Sequence, residues 1–221
     1  MRFIIHELPY ERPRLAGQLR YKRDGQPTGT VESLRLSDAA DGYRFLRVDL
    51  DAREGESGRS WLYHVTLNPA GQPEQVRARF WEEGREVNLA AVRQDDEWLA
   101  ARQVDGVAYQ DVARGEAFWF PAGSGLALLR SSAGQTRGVT LLTDTSDPAR
   151  LLALVQTPVS IVLGATTTET VGDETLPVQS LSVAWGQSRR TVWLDNDARP
   201  LRLWREDGLT AAAQRLVRYG G

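Results

Sequence analysis

The chain has 221 residues, enough for a sizeable core, and no cysteine, which excludes disulfides, thiolate nucleophiles, zinc ribbons and iron–sulfur clusters. A formal net charge of −2 sets aside nucleic-acid binding, because neutralising phosphates needs a basic excess. Lys22 is the only lysine among 27 basic residues, a bias read first as genomic composition and second as anion recognition by arginine forks.

Residues 1–14, with Pro9 and Pro13 set among charges, predict an extended N-terminal arm. The apolar run Phe3-Ile4-Ile5 is too short for a signal segment, and no later stretch approaches the about 20 apolar residues of a membrane-spanning helix. The expected setting is the cytoplasm. From about Leu15 onward the pattern is of hairpins. Leu19 to Lys22 and Thr30 to Leu36 flank Asp24-Gly25. Further Asp-Gly pairs at 41–42, 105–106 and 207–208 suit the positive φ of tight turns.

Tyr43 to Asp51 places Leu46, Val48 and Leu50 on one face, with Arg47 and Asp49 on the other. Trp61, Tyr63, Val65 and Leu67 alternate with Leu62, His64 and Thr66. Val76, Ala78 and Phe80 alternate with Arg77, Arg79 and Trp81, and Val87, Leu89 and Ala91 return as the next strand of a meander. Short strands are expected at Glu97 to Val104, Val107 to Ala113, Ala117 to Phe120, Leu126 to Arg130 and Gly138 to Thr143.

Asp147 to Gln156 breaks this rhythm. Asp147 is a fitting N-cap, Pro148 a fitting first helical residue and Pro158 a stop, so a short helix is predicted. Leu151, Leu152, Leu154 and Val155 cover most of its sides, so the sheet should wrap it. A strand at Val159 to Leu163, a Thr-rich loop at Gly164 to Thr175 and a strand at Pro177 to Trp185 follow. Arg190 to Asp195, Pro200 to Glu206 and Leu209 to Arg218 complete the pattern as strands, the last with a helix as alternative because of Ala211, Ala212 and Ala213. The expectation is one all-β, mainly antiparallel domain over residues 1–221. Its curved sheet should form a β-roll or incomplete barrel around one short helix.

Little here points to catalysis. His6 and His64 are the only histidines, and neither sits in a metal-ligand spacing, so no metal or cofactor is expected. Gly123-Ser124-Gly125 lacks the strand–nucleophile–helix context of a serine hydrolase, and a triad would have to recruit His64 or His6 from far away. Asp195 and Asp197 share one tight turn, where shaping the backbone is the simpler role.

The aromatic residues carry the remaining signal. Core packing accounts for rings on pleated strands, while an aromatic-walled cleft with arginine at its rim is the functional reading. Trp193 and Trp204 stand opposite aliphatic neighbours on their strands, so both faces need burial or a ligand. Trp185, Trp193, Trp204 and Arg202 are the candidate ligand-binding residues.

Trp98 after the acidic turn Asp95-Asp96, Val192-Trp193-Leu194, Pro200-Leu201-Arg202-Leu203 and Gln214-Arg215-Leu216-Val217-Arg218-Tyr219 together resemble the glycolipid-binding proteins that form a spiral β-roll. The C-terminal part is also similar to the bacterial half-barrel carriers of lipoproteins, whose curved sheet surrounds helical material. These resemblances imply a rolled sheet and a lipid-like ligand. The leading expectation is therefore non-catalytic binding of a hydrophobic or amphipathic small molecule. The alternative is a structural or interaction module using a sheet edge or exposed aromatic patch, through which the chain could also self-associate.

Overall fold

A computed structural model of the protein describes residues 8–55 and 57–220, so His6 and the first half of the expected arm lie outside the described residues. Alternating apolar and polar positions become β1 (Arg12–Arg23), β2 (Gln26–Asp38), β3 (Arg44–Ala52), β4 (Arg59–Leu67), β5 (Pro73–Glu82), β6 (Arg85–Gln94), β7 (Glu97–Val104) and β8 (Val107–Arg114). After β9 (Ala117–Trp119) and a short helix α1 (Gly123–Ala127) come β10 (Gly134–Leu141), β11 (Leu154–Val171), β12 (Glu174–Trp185), β13 (Ser188–Leu194), β14 (Pro200–Arg205) and β15 (Leu209–Arg218).

All fifteen strands belong to one sheet, ordered β8-β7-β6-β5-β4-β3-β2-β1-β15-β14-β13-β12-β11-β10-β9. Among the described residues only β9 and β10 run parallel. The chain thus starts mid-sheet, meanders out to one edge, jumps to the other and meanders back until β15 pairs with β1. Just Gly115 and Glu116 separate β8 from β9, so the two edges are forced together. They are stitched locally: the Glu116 N–H donates to the Arg137 carbonyl, and the Arg114 N–H to Oε1 of Gln156. The sheet therefore curls into an incomplete barrel. Register shifts at Gln18/Leu19 and Arg20/Lys22 add local bends of the kind that curve a sheet.

Turn chemistry follows the sequence. Asp24 and Gly25 have φ of 49° and 82°, and Asp105 and Gly106 have 48° and 88°, the conformation that matches strand twist in two-residue hairpins. The inner face of the sheet is the core. Leu19, Val48, Tyr63, Val65, Val76, Phe80 and Val87 are almost fully buried there, and Phe118, Trp119 and Phe120 enter among them. Phe120 stacks on Tyr63 with ring centroids 4.0 Å apart, and Phe118 lies 4.6 Å from Trp98. A Cβ on Gly138 would come within 2.4 Å of the Trp119 ring, so the indole packs directly on backbone.

Three expected elements differ. The helix over Asp147 to Gln156 is a single 3-10 turn, Pro148–Arg150. Asp147 does cap it, accepting from the Ala149 N–H at 3.0 Å, but Leu152 then takes a φ of 58°, and from Leu154 the chain pairs with β10. A helix this short is marginal because nucleation fixes several residues for one hydrogen bond. A ladder for β-branched Val155, Thr157, Val159 and Ile161 outweighs it. Leu151 and Leu152 are still buried, held by Arg102, which reaches from the inner face of β7 to the carbonyls of Ala149 and Leu151.

Among the described residues the short helix inside the roll is instead α1, and the strand expected at Leu126 to Arg130 does not form. The Thr-rich segment Gly164 to Thr175 is not a loop either. It forms the far ends of β11 and β12, turning at Gly172 and reaching back so that Glu169 meets Arg202 at 3.3 Å. Leu209 to Arg218 is a strand, not a helix, because it closes the ladder with both β14 and β1.

Candidate functional site

The interior is organised by one carboxylate. Glu32 lies at an inward position of β2, in step with Leu34 and Leu36, and is fully buried. Its Oε1 accepts from the Ser124 N–H at 2.7 Å and the Ser124 Oγ–H at 2.6 Å. Its Oε2 accepts from the Gly123 N–H at 3.0 Å and the Tyr21 hydroxyl at 2.5 Å. The first amides of α1, which no helical carbonyl can satisfy, are thus paired by a charge from the sheet. Burial pushes the Tyr21 and Tyr63 hydroxyls well above their usual range, and the Glu32 charge adds to it. Both tyrosines stay neutral.

This clamp holds the segment Pro121 to Leu128 across the roll and leaves space on two sides. The larger chamber has a volume of about 420 Å³. Leu15, Leu34, Leu36, Leu46 and Leu67 form its sheet wall, and Ser124, Ala127 and Leu128 form the wall given by α1 and the turn after it. Its rim carries Arg44, Arg130, Asp197 and Arg199, with exposed Ser131 and Ala70 marking the solvent end.

Arginines set the electrostatics of that rim. Arg199 is 2% exposed; its Nε donates to Oδ2 of Asp195 at 2.7 Å and its Nη2 lies 2.6 Å from the same oxygen as an ion pair, while neither Nη1 nor Nη2 makes a hydrogen bond among the described residues. Asp195 also shapes its own turn, accepting from the N–H groups of Asp197 and Arg199 at 2.9 Å each, the structural role expected from sequence. Arg130 docks on the Asp195 carbonyl at 3.0 Å. Asp197 is neutralised by Arg218 at 3.0 Å and Arg14 at 3.5 Å. Arg44 lies over Gly71, where an added Cβ would sit 2.6 Å from its Nη2.

The smaller chamber, about 190 Å³, lies towards the other end of the segment and is lined by Tyr21, Trp61, Pro121, Leu203 and Leu209 with Arg23, Arg190 and Arg205. Here every arginine is committed. Arg190 donates to the Pro121 carbonyl at 2.8 Å and lies 5.0 Å from the Trp185 ring; burial, then the Arg205 charge, lowers its pKa to about 10, so it stays a cation. Arg23 and Arg205 both bind Asp207.

Trp193, Arg202 and Trp204 come together on one face, Arg202 opposite Trp193 with its guanidinium 4.8 Å from the ring and Trp204 opposite Thr191. Trp193 packs on a satellite cluster of Leu176, Val178, Leu201 and Ala213, and Trp204 is 37% exposed. Trp185 packs against the main core, edge-on to Trp119 at 5.7 Å. None of the four lines either chamber. Ser124 and His64 do not meet: Ser124 binds Glu32 inside, while His64 stands beside Phe45 and Arg47 on the other face of the sheet. Burial and then the charges of Arg47 and Arg77 push His64 down to about 4, against the pull of Glu11. No group of three or more metal-ligating side chains gathers among the described residues.

Glu32, Arg44 and Arg102 were not singled out from sequence. A signal existed: Glu32 shares strand parity with Leu34 and Leu36, and Arg102 with Trp98 and Ala100, so each puts a charge on an apolar face.

No family model matches this chain, and no curated protein does. Among solved structures it is similar to a β-barrel-like protein of a domain of unknown function, DUF1849, from Brucella abortus, with a TM-score of 0.56 and 10% sequence identity over 95% of this chain and 99% of that one. Fold and interior together describe a β-barrel-like protein with an internal clamp. At that identity the likeness bears on the fold alone.

Proposed function

We propose that the protein binds a hydrophobic or amphipathic, lipid-like small molecule in the larger chamber without transforming it. The observation that carries this reading is the chamber itself: about 420 Å³ of concave, leucine-walled space with Arg44, Arg130, Asp197 and Arg199 at its rim. Ligand pockets fall in the range of roughly 300–1,000 Å³ with that distribution of polarity. Displacing water from such walls supplies the driving force. The lipid-related resemblances of the C-terminal strands point the same way.

Titration with Nile red, a neutral apolar dye, tests it. A saturable, near-stoichiometric rise in emission is expected, and Leu46→Trp, which fills the chamber from its sheet wall, should abolish it while leaving the far-ultraviolet circular dichroism unchanged. Equal dye binding by the folded variant would refute the assignment. Native mass spectrometry of protein purified from its own host should also show a retained amphiphile.

A second reading rests on a different surface. Val92, Leu99 and Val112 form a row across β6, β7 and β8 beside the sheet edge, and Val92 and Val112 are 39% and 66% exposed. Exposed apolar rows beside an edge strand suit association with another chain. Sedimentation velocity over a concentration series, with Val112→Lys as control, would reveal self-association through this face.

A further inference from the structure

We infer that the ligand of the larger chamber is a single-chain amphipathic anion, its tail against the leucine wall and its carboxylate or phosphate head on Arg44 at the rim. This rests on the chamber being the binding site. Within it, the charge pattern chooses the head.

Arg14, Arg44, Arg130, Arg199 and Arg218 surround the rim, against Asp38, Asp195 and Asp197. The rim therefore holds an excess of positive charge. The aspartates are not free to take a cationic head, since Arg199 occupies Asp195 and Arg14 and Arg218 occupy Asp197. Arg44 differs from its neighbours. Its side chain makes no hydrogen bond or ion pair among the described residues, yet it begins β3 opposite Leu67, on the face that carries the apolar wall. Its Nη2 lies close over Gly71, whose missing side chain leaves the guanidinium that position. Arg199 adds a second, independent sign: a rim guanidinium, 2% exposed, with a nitrogen that no described acceptor satisfies. Buried donors are ordinarily paired, and a planar fork beside an apolar slot matches a carboxylate or phosphate.

Displacement of Nile red by decanoate, decyl phosphate, decanol, decyltrimethylammonium and acetate separates the possibilities, because the first four share one tail and acetate lacks it. Decanoate and decyl phosphate should bind at least about tenfold more tightly than decanol, the size of a hydrogen bond to a charged group. Decyltrimethylammonium should be weakest of the four, and acetate should displace nothing. Arg44→Gln should bring decanoate down to the affinity of decanol and leave decanol unchanged, and Arg44→Lys should restore part of the difference. Equal affinity for decanoate and decanol, tighter binding of decyltrimethylammonium, or decanoate binding untouched by Arg44→Gln would overturn the anionic head while leaving an apolar carrier standing. Displacement by acetate alone would assign a bare anion site instead. If the dye and every decyl compound fail to bind, the chamber assignment falls first and this inference with it.

Discussion

The two chambers share one wall and differ in what their arginines do. Around the smaller one, Arg190 is spent on the Pro121 carbonyl and Arg23 and Arg205 on Asp207, so the cations are structural. Around the larger one, Arg14, Arg130, Arg199 and Arg218 hold the Asp195–Asp197 turn in place while Arg44 is left without a partner among the described residues. The wall chemistry differs as well: five leucines form the sheet wall of the larger space, whereas the aromatic Tyr21 and Trp61 join the leucines of the smaller. Arginine near a cavity is therefore no sign of binding by itself. The larger chamber differs in holding a guanidinium that has no partner among the described residues beside a leucine wall.

The largest effect should come from removing the shared wall. Glu32→Leu strands the amides of Gly123 and Ser124 and the Tyr21 hydroxyl, and should cost about 3–5 kcal/mol in urea unfolding, with loss of dye binding. An unchanged midpoint would mean that the clamp does not hold α1. Acid should weaken the shell common to both chambers. The His64 pKa is about 4 folded against an ordinary 6.5, so the unfolded chain binds the proton first as pH falls. Its contribution is complete above pH 6.5 and lost as pH drops towards 4, on the order of 2 kcal/mol once partial exposure is discounted. His64→Leu should flatten the stability slope between pH 6.5 and 5, above the range where Glu11 and Asp207, whose pKa values are lowered, begin to take up protons.

Changes at the smaller chamber sharpen the contrast. Trp61→Phe should cost roughly 1–2 kcal/mol from lost packing and leave dye affinity where it was. A large loss of binding in that variant would move the site to the wrong side of the wall. Smallest of all, Asp147→Ala removes a cap from an exposed single turn and should lower stability by less than about 1 kcal/mol.

The meander from β1 to β8 was legible because two-residue turns and strict alternation are local signals. Its Asp-Gly turns and the inward set Leu46, Val48, Trp61, Tyr63 and Phe80 stand where the pattern put them. The returning half was harder. Asp147 and Pro148 carried a true cap, but the competing ladder with β10 lies in residues that only the tertiary pairing brings together. Gly123 to Ala127 had no helix signal of its own; its amides are satisfied by Glu32, ninety-one positions from Gly123. That distance also hid the larger chamber, whose leucines read as ordinary core until α1 stops short of filling it. Trp185, Trp193, Trp204 and Arg202, the candidates read from sequence, stand away from both chambers.

Methyl NMR of the leucines, with a fatty acid carrying a nitroxide near the end of its tail, tests the central claim most directly. The larger chamber predicts selective loss of signal at Leu34, Leu36 and Leu46, while Leu203 and Leu209 beside the smaller one keep theirs. Loss at Leu203 and Leu209 with Leu34, Leu36 and Leu46 unaffected, or no selective loss at any leucine, would contradict it.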